Sequence, residues 1–301
     1  MPASSPSWLD RQAYPFRSHF FACGEHQLHY IDEGSGPLLL FVHGTPSWSF
    51  DFREVIKALR GAYRCIAVDH LGFGLSDKPQ DYPYSTAQHA AHLSALICHL
   101  GLEGITLVLH DFGGPIGFCA ALEQAERISG LVFLNTWLWS SRGEPTFEKL
   151  SKILCSPLLP FLYRYFNFSA RFLLPGVYGP GKKPGKAILR QYRAPFGRVA
   201  EREGTLAFAR SLLHDQEWFQ SLWEQREQFA RLPKLLIWGM KDPMIVPAYL
   251  ATFCAAFPEA DVLRLEGTGH FPQEENPGEV SAAIRTFMQQ AADRQALSSS
   301  P

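Results

Sequence analysis

Asp111, Asp242 and His270 are the three side chains of this 301-residue sequence best suited to act together on a covalent bond. Asp111 closes the apolar, partly β-branched run Ile105–His110 and is followed by Phe112, Gly113 and Gly114. A strand that turns at once into a helix exposes one side chain at a sharp corner, where a nucleophilic serine usually sits. Here the corner carries a carboxylate. Asp242 follows the run Leu235–Trp238, and His270 follows the run Asp261–Leu265, so the order along the chain is nucleophile, acid, histidine. A carboxylate with an ordinary pKa of about 4 is ionised at neutral pH and needs no base to activate it. Asp111 is therefore expected to displace a leaving group from saturated carbon and form an alkyl ester. His270 would then activate water against the ester carbonyl, and Asp242 would hold the imidazole tautomer and offset its developing charge. The second step creates an oxyanion on Asp111 itself, with the backbone N–H groups of Phe112 and Thr45 placed to receive it.

Each residue alone has a plainer use. An aspartate after a strand is often a helix N-cap; Asp242 would serve in a turn before Pro243, and His270 in a surface loop. The three together, with the turn His43-Gly44-Thr45-Pro46, carry the chemical reading. Asn135 ends the run Leu131–Leu134 and cannot be anionic, so it does not compete with Asp242. Asp69 reads as a loop-ordering residue, and His43 and His110 as satisfied structural histidines.

These residues need elements to bring them together. Residues 17–23 and 26–32 bracket Gly24-Glu25 as an opening hairpin. Strands are expected at Leu38–Val42, 63–68, 105–110, 131–134, 235–238 and 261–265, and helices at 50–60, 85–100 and after Asp111. Strands alternating with helices imply a mainly parallel sheet of eight strands covered on both faces, with ligands beyond its carboxyl edge. Residues 136–232 break the pattern: they are rich in aromatics, Pro and Arg and have helical periodicity. The expected organisation is a core of residues 1–135 and 233–301 with a helical cap, 136–232, over the site. The aromatics Phe147, Phe161, Phe166, Phe168, Phe172 and Phe196 are expected to give the cap an apolar pocket.

Composition limits the alternatives. A charged fraction of 19 % with 46 % hydrophobic residues fits a folded globular chain rather than a disordered one. A formal net charge of −1 gives no whole-chain footprint for nucleic acid or acidic membranes. No 18-residue apolar run and no leader-like start point to a membrane span or export, so a cytoplasmic location is expected. The six cysteines are scattered, without a CxxC pair, and read as buried thiols. A polar tail is expected from about residue 295. Metal-ligand spacing and a dinucleotide fingerprint are lacking, so no metal or cofactor is expected. The expected partner is a small apolar organic substrate, met by a monomer or small homo-oligomer.

The motifs resemble the haloalkane dehalogenase family of the α/β-hydrolase superfamily over nearly the whole chain. They include His43-Gly44-Thr45-Pro46, Asp69-His70-Leu71-Gly72-Phe73-Gly74, His110-Asp111-Phe112-Gly113-Gly114, Trp238-Gly239-Met240-Lys241-Asp242 and Gly269-His270-Phe271. The resemblance implies an α/β-hydrolase fold, Asp111 as nucleophile, His270 as base, Asp242 as acid, and hydrolytic removal of halide from haloalkanes. It also shows a departure. The family follows its nucleophile with Trp, whose N–H grips the departing halide, and pairs it with a cap Trp or with Asn at the position of Thr45. Phe112 has no side-chain donor, and Thr45 keeps a hydroxyl but no amide. Trp137, Trp139, Trp218 and Trp223 are the candidates to replace it. Three other activities stay open: epoxide hydrolysis assisted by Tyr163, Tyr165, Tyr178 or Tyr192, action on strained rings such as β-lactones, and ligand binding without turnover.

Overall fold

The computed structural model describes residues 6–298. The start read as leaderless falls mostly on residues 1–5, outside that range. The polar tail is helical as far as Ser298, and its remainder lies outside the range.

The chain runs β1 (Ser18–Cys23), β2 (His26–Glu33), β3 (Leu38–Val42), α1 (Arg53–Leu59), β4 (Arg64–Val68), α2 (Thr86–His99), β5 (Ile105–Asp111), α3 (Gly113–Glu123) and β6 (Ile128–Thr136). Six helices follow: α4 (Pro145–Leu154), α5 (Leu159–Phe166), α6 (Leu174–Gly176), α7 (Lys186–Arg193), α8 (Glu203–His214) and α9 (Gln216–Glu224). The chain then returns through β7 (Lys234–Gly239), α10 (Pro247–Ala256), β8 (Asp261–Leu265), α11 (Pro272–Glu275) and α12 (Pro277–Ser298). The eight strands lie in the order β1-β2-β4-β3-β5-β6-β7-β8. The β1–β2 and β2–β4 pairs are antiparallel, and every other pair is parallel.

Side chains alternate across a strand, so a strand buried on both faces feeds two cores. That is observed: Leu38, Leu40 and Val42 of β3 join one cluster, and Leu39 and Phe41 join the other. Strands β5, β6 and β7 split in the same way, as with Leu107 and Leu109 against Val108. The middle of the sheet is thereby fixed between helical layers, and the carboxyl ends of β3, β5, β6 and β7 come to one edge. The helices between β6 and β7 have a small core of their own, built on Leu154, Leu159, Tyr163, Leu206 and Ala209. No helix among the described residues is long and apolar enough to cross a membrane.

The cysteines correct the expectation of buried thiols. All six are free, but only Cys65 is buried, while Cys98 and Cys155 are exposed. On α2 the buried stripe is Leu93, Leu96 and Ile97, and Cys98 falls off it at the solvent side. Apolar character alone did not place these thiols, because position on the helix face decides burial.

Candidate functional site

Asp111 has a φ of +52°, a left-handed conformation that is unusual for a residue other than glycine or asparagine. The corner exists because its neighbours are stripped of side chains. A Cβ on Gly113 would strike the Val42 carbonyl, one on Gly114 the Thr136 hydroxyl, and one on Gly44 the Asp111 carboxylate itself. Thr136 in turn donates from Oγ1 to the Asp111 carbonyl at 2.6 Å, tying the corner to β6. The carboxylate is held from the other side by the Thr45 backbone N–H, 2.8 Å from Oδ1, and by the N–H of Phe112.

His270 lies between the two acids. Its Nδ1 donates to Asp242 Oδ2 at 2.7 Å, which leaves Nε2 facing Asp111 Oδ2 at 3.4 Å. All three residues are buried. Burial alone would raise the Asp111 carboxyl, but the hydrogen bond and charge of His270 outweigh it and hold it below the ordinary carboxylate value. Burial alone would lower His270, but Asp242 and Asp111 together push it up to about 10. The two neighbouring acids thus favour the protonated imidazole. The backbone is equally fixed: His270 N–H donates to Val177 O at 2.8 Å, and its carbonyl accepts from His110 Nε2 at 2.8 Å.

Asn135, which cannot itself be the acid, lies against Asp242. It has a φ of +28°, and its Nδ2 donates to Asp242 Oδ2 at 2.9 Å and to Gly239 O at 3.2 Å. Its Oδ1 accepts from Gly239 N–H at 2.8 Å. An amide both donates and accepts, so one side chain joins β6 to β7 and orients the acid; a second carboxylate would repel Asp242. Met244 and Ile245 N–H groups complete the cradle at Asp242 Oδ1. Asp69 orders its loop as expected, accepting from His29, Ser49 N–H and Leu75 N–H.

The carboxylate and imidazole open on a cavity of about 100 Å³, which Thr45, Phe112 and Trp137 line beside them. Leu150, Leu154, Tyr163 and Leu173 enclose it from the insertion. Two buried polar atoms on its wall have no hydrogen-bond partner, Thr45 Oγ1 and Trp137 Nε1. Trp137 stands edge-to-face on Phe112, ring centroids 4.9 Å apart. Of the four candidate tryptophans it alone lines the cavity; Trp139 donates instead to Glu144. Its place just beyond the end of β6 was the available signal. Of the cap aromatics expected in the pocket only Phe147 reaches it, and Phe161, Phe166 and Phe172 are exposed on the outer side of their helices. Of the four candidate tyrosines, Tyr163 lines the cavity with its hydroxyl on Ser169, whereas Tyr192 donates to Glu274 at 2.7 Å.

An eight-stranded, mostly parallel sheet with a strand–turn–helix corner at its carboxyl edge defines the class, an α/β-hydrolase. The sequence matches the alpha/beta hydrolase family over residues 39–283. It is 37 % identical over 279 residues to haloalkane dehalogenase 2 of Mycobacterium tuberculosis, covering 91 % of this chain and 96 % of that protein. It is also 34 % identical over 283 residues to the cis-3-alkyl-4-alkyloxetan-2-one decarboxylase of Shewanella oneidensis, covering 91 % and 89 %. A haloalkane dehalogenase from Agrobacterium tumefaciens shares the fold, with a TM-score of 0.82 at 24 % identity over 91 % of this chain and 97 % of its own. The chain belongs to the haloalkane dehalogenase family within the α/β-hydrolases, and it is a hydrolase.

Proposed function

We propose that this hydrolase removes halide from small haloalkanes through an ester on Asp111, with His270 and Asp242 as base and acid and residues 136–232 as the cap. The observation that carries the reading is the file Asp111–His270–Asp242 opening on an apolar cavity whose wall holds two unpartnered donors. In the first step Asp111 Oδ attacks the carbon and the carbon–halogen bond breaks, its electron pair leaving with the halide. Trp137 Nε1–H and Thr45 Oγ1–H are the groups offered to that anion in place of the missing tryptophan. Esterification removes the negative charge of Asp111 and its bond to the imidazole. His270 then keeps only Asp242 as a support, gives up its proton to solvent and becomes a base. In the second step His270 takes a proton from water, and the hydroxide attacks the Asp111 carbonyl carbon. The Thr45 and Phe112 N–H groups receive the oxyanion. The ester bond then breaks, the alcohol leaves with the proton from His270, and the new Asp111 carboxyl passes its own proton to the imidazole, which restores carboxylate and imidazolium. The sum is alcohol, halide and one proton.

The test is the His270→Asn variant, incubated with a bromoalkane and weighed. One equivalent of released bromide and an alkyl adduct on the Asp111 peptide are expected; halide release by the parent enzyme with no adduct on Asp111 in the variant would refute the mechanism. A second reading rests on the relative named for an oxetan-2-one, a strained lactone ring that carries alkyl groups. Carbon dioxide released from an alkyl-substituted oxetan-2-one, without halide release from any haloalkane, would favour it. Ligand binding without turnover would appear as a parent enzyme no more active than its Asp111→Asn variant.

A further inference from the structure

The insertion carries an outer surface unlike the rest of the molecule, and we propose that this surface docks on an anionic lipid bilayer. Nine large hydrophobic side chains are exposed among the described residues, and six of them fall between 153 and 172: Ile153, Leu158, Phe161, Tyr165, Phe166 and Phe172. Their exposures run from 47 to 64 %. They project from α4, from α5 and the residue before it, and from the π-turn Ser169–Leu173, and Phe161 packs tilted on Tyr165 and edge-on to Phe166, with ring centroids 5.0 and 5.7 Å apart. Large exposed apolar patches are rare on a soluble protein unless something covers them.

Charge selects the occupant. Residues 149–202 hold eleven of the 28 Lys and Arg of the chain but only one of its 29 acidic side chains, Glu201. The net charge of −1 therefore averages a strongly basic segment, 149–202, against an acidic remainder. Several of these cations are exposed, and Lys149, Lys152, Arg171, Lys183, Lys186 and Arg190 have no acidic partner among the described residues. Arg171, Phe172, Lys182 and Lys183 line one shallow groove, which sets an exposed aromatic among three cations. Aromatic and aliphatic side chains at the headgroup level, ringed by Lys and Arg, are the signature of an interfacial surface that binds anionic lipid.

Location gives the docking a use. The same elements face the cavity from within: Leu150 and Leu154 of α4, Tyr163 of α5 and Leu173 of the π-turn. An apolar substrate concentrates in a bilayer, and a surface seated on that bilayer would place the cavity wall one helix away from the supply. The inference stands on surface residues alone and holds whichever bond the enzyme cleaves.

Flotation with vesicles of phosphatidylcholine, with and without about 30 % phosphatidylglycerol, tests it. Binding to the anionic vesicles should exceed that to the neutral ones by about tenfold or more and fall steeply with added salt. The variant Phe161→Ser/Phe166→Ser/Phe172→Ser should lose about tenfold, and Lys152→Glu/Arg171→Glu/Lys183→Glu should lose at least about fivefold per site. Turnover of a small water-soluble substrate should be unchanged in both, which shows that they fold. Equal binding to both vesicles, binding that survives both variants, or a dimer by light scattering that the triple Phe variant dissociates would overturn the proposal, the last in favour of a second copy of the chain.

Discussion

At the scale of single residues, the site turns on donors that have nothing to bond. A buried N–H without a partner costs free energy unless a ligand completes it, and Trp137 Nε1 is such a group on the cavity wall. Trp137→Phe keeps a ring against Phe112 and removes only the donor. We expect the rate of ester formation, read as the halide burst in single turnover, to fall about 10- to 100-fold, which corresponds to the loss of about 1.5–3 kcal/mol. Chloroalkanes should suffer more than bromoalkanes, because the poorer leaving group depends more on the donor. Hydrolysis of the ester, once formed, should change little. An unchanged burst would show that the indole N–H does not meet the leaving atom. Asn135 makes the complementary case. In Asn135→Asp the donor to Asp242 is replaced by a second anion about 3 Å away, with Gly239 O also facing an acceptor. Turnover should drop by about two powers of ten, and stability by roughly 1–3 kcal/mol in urea titration.

At the scale of elements, the corner between β5 and α3 depends on close approach. Gly114→Ala would place a methyl group on the Thr136 hydroxyl, which is itself fixed to the Asp111 carbonyl. The clash involves a short, committed side chain rather than the end of a flexible one, so it is relieved only by moving β6 or α3. A loss of at least about 2 kcal/mol is expected, together with most activity, whereas Gly61→Ala, which meets open space, should be within about 0.5 kcal/mol of the parent. This corner was legible in the sequence for the same reason that it is fragile: a strand-length apolar run, a polar residue and two glycines leave few other structures. The strands were legible too, since Leu38–Val42 and Leu235–Trp238 are apolar on both faces. The insertion was not. Its helices meet through contacts between distant segments, Leu154 and Leu159 against Leu206 and Ala209, so periodicity indicated helices without indicating which ring faces the cavity. Phe147 and Phe161 are each the third residue of a helix, yet one lines the cavity and the other is exposed. Asn135 escaped notice because its role is relational: an amide matters here only once β7 brings Gly239 and Asp242 beside it.

At the scale of the whole molecule, the stability of the fold is coupled to pH by groups that the chemistry does not use. Asp51 is fully buried beneath the site, close to His110, and Gln273 Nε2 donates to its Oδ2 at 3.1 Å. Burial pushes its carboxyl up to about 8, against hydrogen bonds from Ser47 and Gln273 and the charge of Arg53, which favour the anion. The folded protein thus keeps a proton that the unfolded chain releases near pH 4, and the native state binds more protons than the unfolded state between those values. Stability contributed by this group is present at low pH and is lost as pH rises from about 4 to about 8, after which the loss is complete. Asp51→Asn retains an acceptor for Gln273 and removes the titration. The variant should therefore gain on the parent as pH rises, by on the order of 2–4 kcal/mol between pH 5 and pH 8.5 in urea titrations. Any cost of the new amide hydrogens is the same at both pH values and cancels from that difference. His270 also titrates in this window: its folded pKa is raised, so its stabilisation is present below about 6.5 and fades as pH approaches about 10. It does so in parent and variant alike, and the difference isolates Asp51. Parallel pH dependences for the two proteins would mean that the buried carboxyl is ionised throughout, with its charge balanced by Arg53.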